Sequence, residues 1–549
     1  MAADSQSNAV IPSDSIGATT VGSTSPSPSI AARIAASVRD ATLEQRFLAV
    51  LLMLFLVKGV IIAFVHPPFS GHDEVAHYAY LQFVADDKRL PVIPDVEEWR
   101  AQRELTGDNE THDRIPAELW PYCRFVTKDW SPGCLGDDRQ TRAVYAISMP
   151  TMGLFPSGWV YTSNHPPLYY LIMTPLFWLT DDASPEAQLY ALRLAALPFG
   201  LLTVLFAYLT VRTLFPRDRF LAMMVPAFVA FQPQISYEAA MLNNDIVAIA
   251  FTSAVIYLLT VGLRHRFPLR ICLMIGFCFG LAMLAKNTSA ISGAIIALAM
   301  VLGLGVRAWR EWLPKGVLTA GIAALMVWPW FLYMYRTYGD FTALGRIRDL
   351  QYWNYIEGPP PSIWDQLASR RFVWGRWHET WGQFGWRLIP LSSDLARILL
   401  WVTMIGAVGL SIWALRFWQV QQPILQEDDP TVAASLRSRA ESVFDLERWQ
   451  VVGIVLMGVT CILSYYAILQ FGTTFSLTQA RYFFPAIVPA AILLMLGFRS
   501  LFPRPWLPYV QTVLFIGMVA LTVVIYSGYV IPYWQSAGMA YREMDPFFR

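Results

Sequence analysis

The sequence predicts an all-α polytopic membrane protein, and three observations carry that expectation. Apolar runs of roughly 17–26 residues recur almost to the C-terminus, each long enough to cross about 30 Å of hydrocarbon as a helix. Of 549 residues, 55% are hydrophobic and only 15% charged, with a mean hydropathy of +0.41, whereas a soluble chain of this length carries more charge and fewer such runs. The connections between runs alternate between Arg-rich and acidic or aromatic, as loops on opposite faces of a bilayer do.

Taken in order, residues 1–30 are rich in Ser, Ala, Thr, Gly and Pro and lack aromatics. Such a segment cannot bury enough apolar surface to fold, so 1–40 reads as a disordered cytoplasmic tail. Spans are expected near 47–65, 188–211, 220–236, 244–263, 270–285, 288–306, 316–335, 394–415, 449–470, 482–498 and 506–530, about eleven within a range of about 10–13. Arg212, Arg217 and Arg219, then Arg264, Arg266 and Arg270, then Arg307, Arg310 and Lys315 mark successive cytoplasmic connections. Arg416, Arg437, Arg439 and Arg448, then Arg499 and Arg504, continue the series, with Arg33, Arg39 and Arg46 keeping the N-terminus inside. HPPLYYLIMTPLFWLT at 165–180 is short for a span, and counting it as one would put every later Arg cluster outside. It therefore reads as an interfacial or re-entrant helix on the external side, started by Pro166 and Pro167.

This organisation divides the chain into a transmembrane module at 41–335 with an external loop at 66–187, an external aromatic-rich loop at 336–393, and C-terminal spans at 394–530. The last part carries a cytoplasmic loop at 416–448 and is followed by an external tail at 531–549. Charges are expected at span ends only. The unusual polar residues then gather outside. The stretch HPPFSGHDEVAHYAY at 66–80 crowds His72, Asp73, Glu74 and His77 just beyond the first span. Ionised groups this close to hydrocarbon are costly, which makes them candidates for function. Tyr237, Glu238, Asn244 and Asp245 in the turn SYEAAMLNND, together with Lys286, Arg336 and Arg481, fall on the same side.

Several short motifs follow one another in order. They are Asp73-Glu74, HPPLYY at 165–170, RLAALPFGLLTVLFAYLTVRTLF at 193–215, GLAMLAKNTSA at 280–290, WPWFLYMYRTYGD at 328–340 and QARYFFPAIVPA at 479–490. The set resembles the GT-C superfamily of multi-spanning glycosyltransferases that use polyprenyl-phosphate sugars. That superfamily includes protein mannosyltransferases and the lipid A aminoarabinose transferase, and the flavour here is of a bacterial branch apart from the mannosyltransferases proper. The resemblance implies an inner-membrane enzyme working on the external face, with a polyprenyl-phosphate-linked sugar as donor and a glycan, lipid or protein acceptor. It also implies inversion at the anomeric carbon, with the first acidic residue of the loop, Asp73, as general base.

The chemistry agrees with that resemblance. No P-loop or Rossmann fingerprint is present to cradle a nucleotide, and no basic stripe suggests nucleic acid. A donor whose leaving group is already a phosphate needs a base for the acceptor hydroxyl and cations for the phosphate. If 71–83 is helical, Asp73 and His77 share a face, as do Glu74 and Tyr78, so Glu74 and His77 join Asp73 as catalytic candidates. The alternative reading is that Asp73 caps a juxtamembrane helix. Lys286, Arg336 and Arg481 are candidate phosphate ligands, with His165 at a position where relatives often have Lys.

Tyr237, Glu238, Asn244, Asp245, Trp381 and Trp386 are assigned to an acceptor site or its lid, because the loop 336–393 is dense in Trp and Tyr interleaved with Arg. Asp340 in YGD reads as a turn residue. The sequence identifies no certain cofactor, although His72, Asp73 and Glu74 could offer mixed ligands to a divalent cation such as Mg or Mn. Cys123 and Cys134 could pair in an oxidising compartment. The rival classes are a polytopic transporter or lipid flippase, which should show charged or broken helices within the membrane, and a non-catalytic envelope-assembly protein.

Overall fold

The computed structural model describes residues 42–95, 97, 113, 115–116, 118–119, 122, 160–350, 359–385, 387–426, 441–475 and 478–536. The N-terminal tail, Cys123, Cys134, Trp386 and most of 531–549 lie outside the described residues. The chain divides into two units, Met1–Arg46 and Phe47–Arg549, and the second contains the helical bundle and every candidate site residue.

Helix α1 (Leu43–Val65) is apolar from Phe47 onward except at Lys58. A turn leads to α2 (Glu74–Ala85), which packs against α3 (Leu168–Leu179) through stacked Tyr80 and Tyr170 rings 3.6 Å apart. Ser184 accepts from the amide of Ala187 and Pro185 occupies the first turn, so α4 (Pro185–Leu214) starts where its capping sequence directs. Asp218 caps α5 (Arg219–Phe231) in the same way, accepting from Leu221 at 3.0 Å. Pro233 disfavours helical backbone at Gln232, and α6 (Pro233–Ala239) leaves at 62° to α5.

The bundle continues with α7 (Asp245–His265), α8 (Leu269–Ala285), and a 3₁₀ turn at Asn287–Ala290 feeding α9 (Ile291–Leu304). Helix α10 (Trp309–Tyr338) is followed by the short α11 (Leu344–Leu350), α12 (Ile363–Ala368) and α13 (Arg370–Trp381). Two short strands, β1 (Gln383–Phe384) and β2 (Ile389–Pro390), pair antiparallel with Gln383 opposite Pro390. Helices α14 (Ser393–Gln426) and α15 (Arg448–Gly472) come next, then a 3₁₀ segment at Ala480–Ala486 that runs into α16 (Ile487–Leu501). Helix α17 (Leu507–Ile525) passes through a π turn into α18 (Ile531–Ser536).

Among the described residues nine helices are long and apolar enough to cross a bilayer, and the bent pair α5–α6 makes ten. Helix α8, at 17 residues, is the remaining run of the expected set. The chain is a polytopic helical membrane protein. The most hydrophobic stretch of α7 is 83% buried inside the bundle and that of Ala480–Leu501 78%, against 22% for Ser393–Gln422 and 17% for Arg504–Gln535. The first two are therefore the central helices and the last two face lipid. Helix α14 approaches α16 closely because Gly406 and Gly409 lie against Gly497, where an added methyl would overlap backbone carbonyls.

At the Arg-rich end of the bundle, buried Arg499 pairs with Asp218 and Glu441, each at 2.8 Å. The expectation that charges keep to span ends fails at Lys58. It lies two turns inside α1, and its ammonium is held by the Ala230 carbonyl and the Ser236 hydroxyl.

Candidate active site

The stretch after α1 is folded by one buried ion pair. Arg193, on the third turn of α4, is fully buried and donates to both Glu74 oxygens at 2.8 and 2.6 Å. Its remaining donors reach the carbonyls of Ala63, His66 and Pro67, each at 2.8 Å, so one guanidinium ties the end of α1 to the start of α2. Glu74 also accepts from the amides of Gly71 at 2.8 Å and Leu242 at 2.9 Å. Its carboxylate is thereby fully used. Glu74 is expected beside Asp73 as a catalytic carboxylate; instead it turns inward to Arg193 and away from the cavity.

Asp73 itself sits at the helix N-cap position in the left-handed region, φ 59°, which costs a non-glycine residue energy. Its side chain makes no capping bond. The carboxylate points outward to Arg481 at 2.5 Å and accepts from the Tyr161 hydroxyl at 3.3 Å. This removes the helix-cap alternative: the strained backbone aims the carboxylate at a cation 408 residues away. Burial by itself would raise the Asp73 carboxyl, but the Arg481 guanidinium, helped by His77, outweighs it and holds the group well below the usual carboxylate range.

Asp245, the first residue of α7, closes the cluster. It pairs with Lys286 and lies 3.5 Å from Arg481. Asn244 anchors the same corner by donating to the Ala285 carbonyl at 2.8 Å, which fixes the chain just before Lys286. Asp73, Asp245, Lys286 and Arg481 thus form one chain of alternating charge drawn from four separate segments.

His77 and His165 stand behind Asp73 with their rings 5.6 Å apart. Burial is the chief reason that both imidazoles stay neutral, His77 being lowered to about 4 and His165 well below its ordinary value, with the neighbouring cations adding to the effect. His77 Nδ1 lies 2.9 Å from the Tyr170 hydroxyl. His165 is therefore a neutral group at the site and not a third cation.

Asp73, Lys286 and Arg481 line one cavity of ≈ 500 Å³. Its polar end also carries Tyr161, Asn164, His165, Thr288, Gln479 and Tyr482. Its other walls are apolar, built by Ile291 of α9 and by Ala467, Ile468 and Phe471 of α15. The same Ile291, Ala467 and Phe471 also line a separate groove of ≈ 500 Å³ between α9 and α15, beside Leu463 and Tyr466, the latter 50% exposed on the outer surface of the bundle. An apolar groove thus lies beside the charged chamber and shares three of its wall residues.

The other expected residues separate clearly. Arg336 is exposed and does not line the cavity. It follows buried Met334 by two positions, a turn of about 200° that sets it on the opposite face of α10. Tyr237 is core, its ring 5.0 Å from His66 and 5.4 Å from Phe384. Glu238 is buried behind Arg481 and accepts from Gln234 at 3.1 Å. Trp381 also packs inward, against Phe228 and Trp377, so its face is not free to stack on a sugar. Among the described residues of the aromatic loop, Thr342, Leu344 and Ile347 line the cavity and the tryptophans do not. Asp340 closes a turn, accepting from the Thr342 amide at 3.0 Å.

His72 faces the Tyr237 ring at 5.9 Å, while Asp73 and Glu74 point to different arginines. The expected ligand set for a divalent cation therefore does not converge. Among the described residues no three His, Cys, Asp or Glu side chains do. Tyr161 and Arg193 are the residues that sequence reasoning missed. Arg193 opens the motif at 193–215 and is legible there as a charge inside an apolar run.

Comparison with known proteins bears on this geometry. Residues 164–333 match the family of dolichyl-phosphate-mannose-protein mannosyltransferases. The match covers about a third of the chain. The matched segment runs from α3 into α10 and contains Arg193, Asp245 and Lys286, while Asp73 and Arg481 flank it on either side.

A comparison with curated proteins finds no match. Among solved structures the chain is similar to the Archaeoglobus fulgidus oligosaccharyltransferase in complex with Zn and sulfate, at 12% identity and TM-score 0.47, over 90% of this chain and 55% of that one. The apo form of that protein gives 12% identity and TM-score 0.49 over 93% and 59%. ArnT from Cupriavidus metallidurans bound to undecaprenyl phosphate gives 13% identity and TM-score 0.38 over 90% and 74%. The chain thus spans between half and three fifths of the archaeal protein's length.

Proposed function

We propose that this protein transfers a sugar from a polyprenyl-phosphate donor to an acceptor hydroxyl at the external face of the membrane. One observation carries the reading: a carboxylate and two cations from three distant segments line one cavity, and an apolar groove shares a wall with it. The chamber suits a phosphate and one sugar, and the groove between α9 and α15 suits an isoprenoid tail.

In this reading Arg481 and Lys286 bind the donor phosphate, in place of Asp73 and Asp245. The phosphate brings negative charge that competes for both cations, and Arg suits its planar fork to phosphate oxygens. Asp73, released from its counter-ion, regains basicity and takes the acceptor proton as the hydroxyl oxygen bonds to the anomeric carbon. The polyprenyl phosphate leaves as an anion, so the site needs no strong acid at the leaving oxygen. Tyr161 keeps Asp73 oriented, and neutral His77 and His165 shape the chamber without competing for the phosphate.

The test is binding of undecaprenyl phosphate to the purified protein in nanodiscs, followed by native mass spectrometry. Wild type and Asp73→Asn should both hold the lipid, and Arg481→Ala should lose it. Equal retention by all three proteins would remove the donor site from this cavity. The α5–α6 break and half-buried Lys58 within α1 are features that a transporter or flippase also shows. That reading instead requires movement of the lipid across vesicles without any sugar transfer.

A further inference from the structure

Three features lie outside the mechanism above: the aromatic surround of His66, the small polar cleft between Glu379 and Arg481, and half-buried Lys58 inside α1. The cleft has room for little more than a water, and the His66 surround has no open face. Lys58 is different, because its surroundings say what it does.

Helix α5 ends inside the bundle at Phe231, which leaves its last carbonyls without intrahelical partners. In hydrocarbon such carbonyls cost several kcal/mol unless another group satisfies them. The Phe228 carbonyl is taken by the Gln232 amide at 2.8 Å and the Gln232 carbonyl by the Ser236 amide at 3.1 Å. The Ala230 carbonyl is taken by the Lys58 ammonium, which also donates to Ser236 Oγ at 2.7 Å. Ser236 Oγ donates in turn to the carbonyls of Ala230 at 3.2 Å and Gln232 at 3.0 Å. The cation lies 4.5 Å from the centre of the Phe231 ring and 5.4 Å from that of Phe55. A positive charge at this point also faces the negative end of the α5 dipole. One side chain therefore closes the open end of α5 and grips the first turn of α6.

What α6 carries connects this grip to the site. Gln234 Oε1 accepts from the Gln383 amide at 3.2 Å, and Gln234 Nε2 donates to Glu238 at 3.1 Å. The Glu238 carbonyl accepts from Asn243 Nδ2 at 2.8 Å, and Asn243 Oδ1 accepts from the Ile246 amide at 3.2 Å. The direction in which α6 leaves the break thus sets where α7 begins, and with it Asp245.

We propose that Lys58 is a positioning residue for the phosphate site: it fixes the break between α5 and α6, so that the 240–245 turn delivers Asp245 to Lys286 and Arg481. The inference rests on the donor-site reading only for its functional consequence. The structural claim stands separately.

The experiment measures amide hydrogen exchange and undecaprenyl-phosphate binding in nanodiscs for wild type, Lys58→Met, Lys58→Arg and Ser236→Ala. Lys58→Met should speed exchange across 232–244 by roughly 10–100-fold, the loss of a part-buried charge-assisted bond. The lipid-facing helices α14 and α17 should keep wild-type exchange. Ser236→Ala, a milder change, should raise exchange in the same segment by less, and Lys58→Arg, which retains a cationic donor, should restore much of the protection. Lipid affinity should fall with the exchange defect. Unchanged exchange at 232–244 in Lys58→Met, or a rise spread evenly over every helix, would overturn the positioning role. If wild type itself fails to bind the lipid, the donor-site reading fails while the exchange data still decide for or against Lys58.

Discussion

Replacing Arg193 with Met removes the one cation that organises the Asp73 turn, and its cost can be worked out from the contacts. The side chain and its partner Glu74 both have 0% exposure, so water cannot substitute for what is lost. Five hydrogen bonds disappear: two to Glu74 and one each to Ala63, His66 and Pro67. Glu74 would keep only the amides of Gly71 and Leu242, two neutral donors for a buried charge. Removing one partner of a buried ion pair costs about 3–5 kcal/mol, and the orphaned carbonyls push towards the upper end. Reversible unfolding in mixed micelles, followed by tryptophan fluorescence, measures it. A double variant, Glu74→Gln with Arg193→Met, removes both charges and should be less damaged than the sum of the single changes. A loss of less than about 1 kcal/mol in Arg193→Met, the level of an exposed pair, would refute the claim that this pair holds the site together.

The pH dependence of stability follows from the buried imidazoles. His77 and His72 are lowered to about 4 and about 3, chiefly by burial, against about 6.5 when unfolded. The unfolded chain therefore binds more protons below about pH 6.5, and stability should fall as pH drops towards 4, by about 1.4 kcal/mol per pH unit for each group. Asp73, whose folded value is depressed, stabilises fully above its unfolded value of about 3.8 and loses that contribution only below it. His77→Gln should reduce the slope by one proton, and an unchanged slope would count against it. Arg481→Ala should weaken undecaprenyl-phosphate binding by roughly 10–100-fold, while Asp73→Asn leaves binding intact and abolishes transfer; titration by native mass spectrometry separates the two. Gly497→Val should destabilise by about 1–3 kcal/mol or more, because its side chain has no space beside the Gly406 carbonyl, as a thermal unfolding series would show. Trp381→Ala should cost about 3–5 kcal/mol of stability with little change in lipid affinity, since the ring packs against Phe228 and Trp377.

Trp381 illustrates why part of the site is not legible in the sequence. An aromatic run between two spans has the same composition whether its rings stack on a ligand or wedge between helices, and only neighbours far away in the chain decide. Arg336 is a similar case, since an external basic residue looks like a phosphate ligand until the helix face it occupies is known.

The membrane class, the positions of the helices and the crowding of Asp73, Lys286 and Arg481 at span ends followed from sequence, because hydrophobic run length, proline and charge act locally. Which carboxylate faces the cavity did not. Asp73 and Glu74 are adjacent and chemically alike, and their opposite fates depend on Arg193 and Arg481, 119 and 408 residues further along the chain. Lys58 is the same lesson inside the membrane. As a letter in an apolar run it reads as a defect, and only the broken end of α5, folded against it from 172 residues away, shows what the charge is for. Local composition determined where the chain enters the bilayer; the pairing of buried charges, which is non-local because each must find its opposite, decided what the site became.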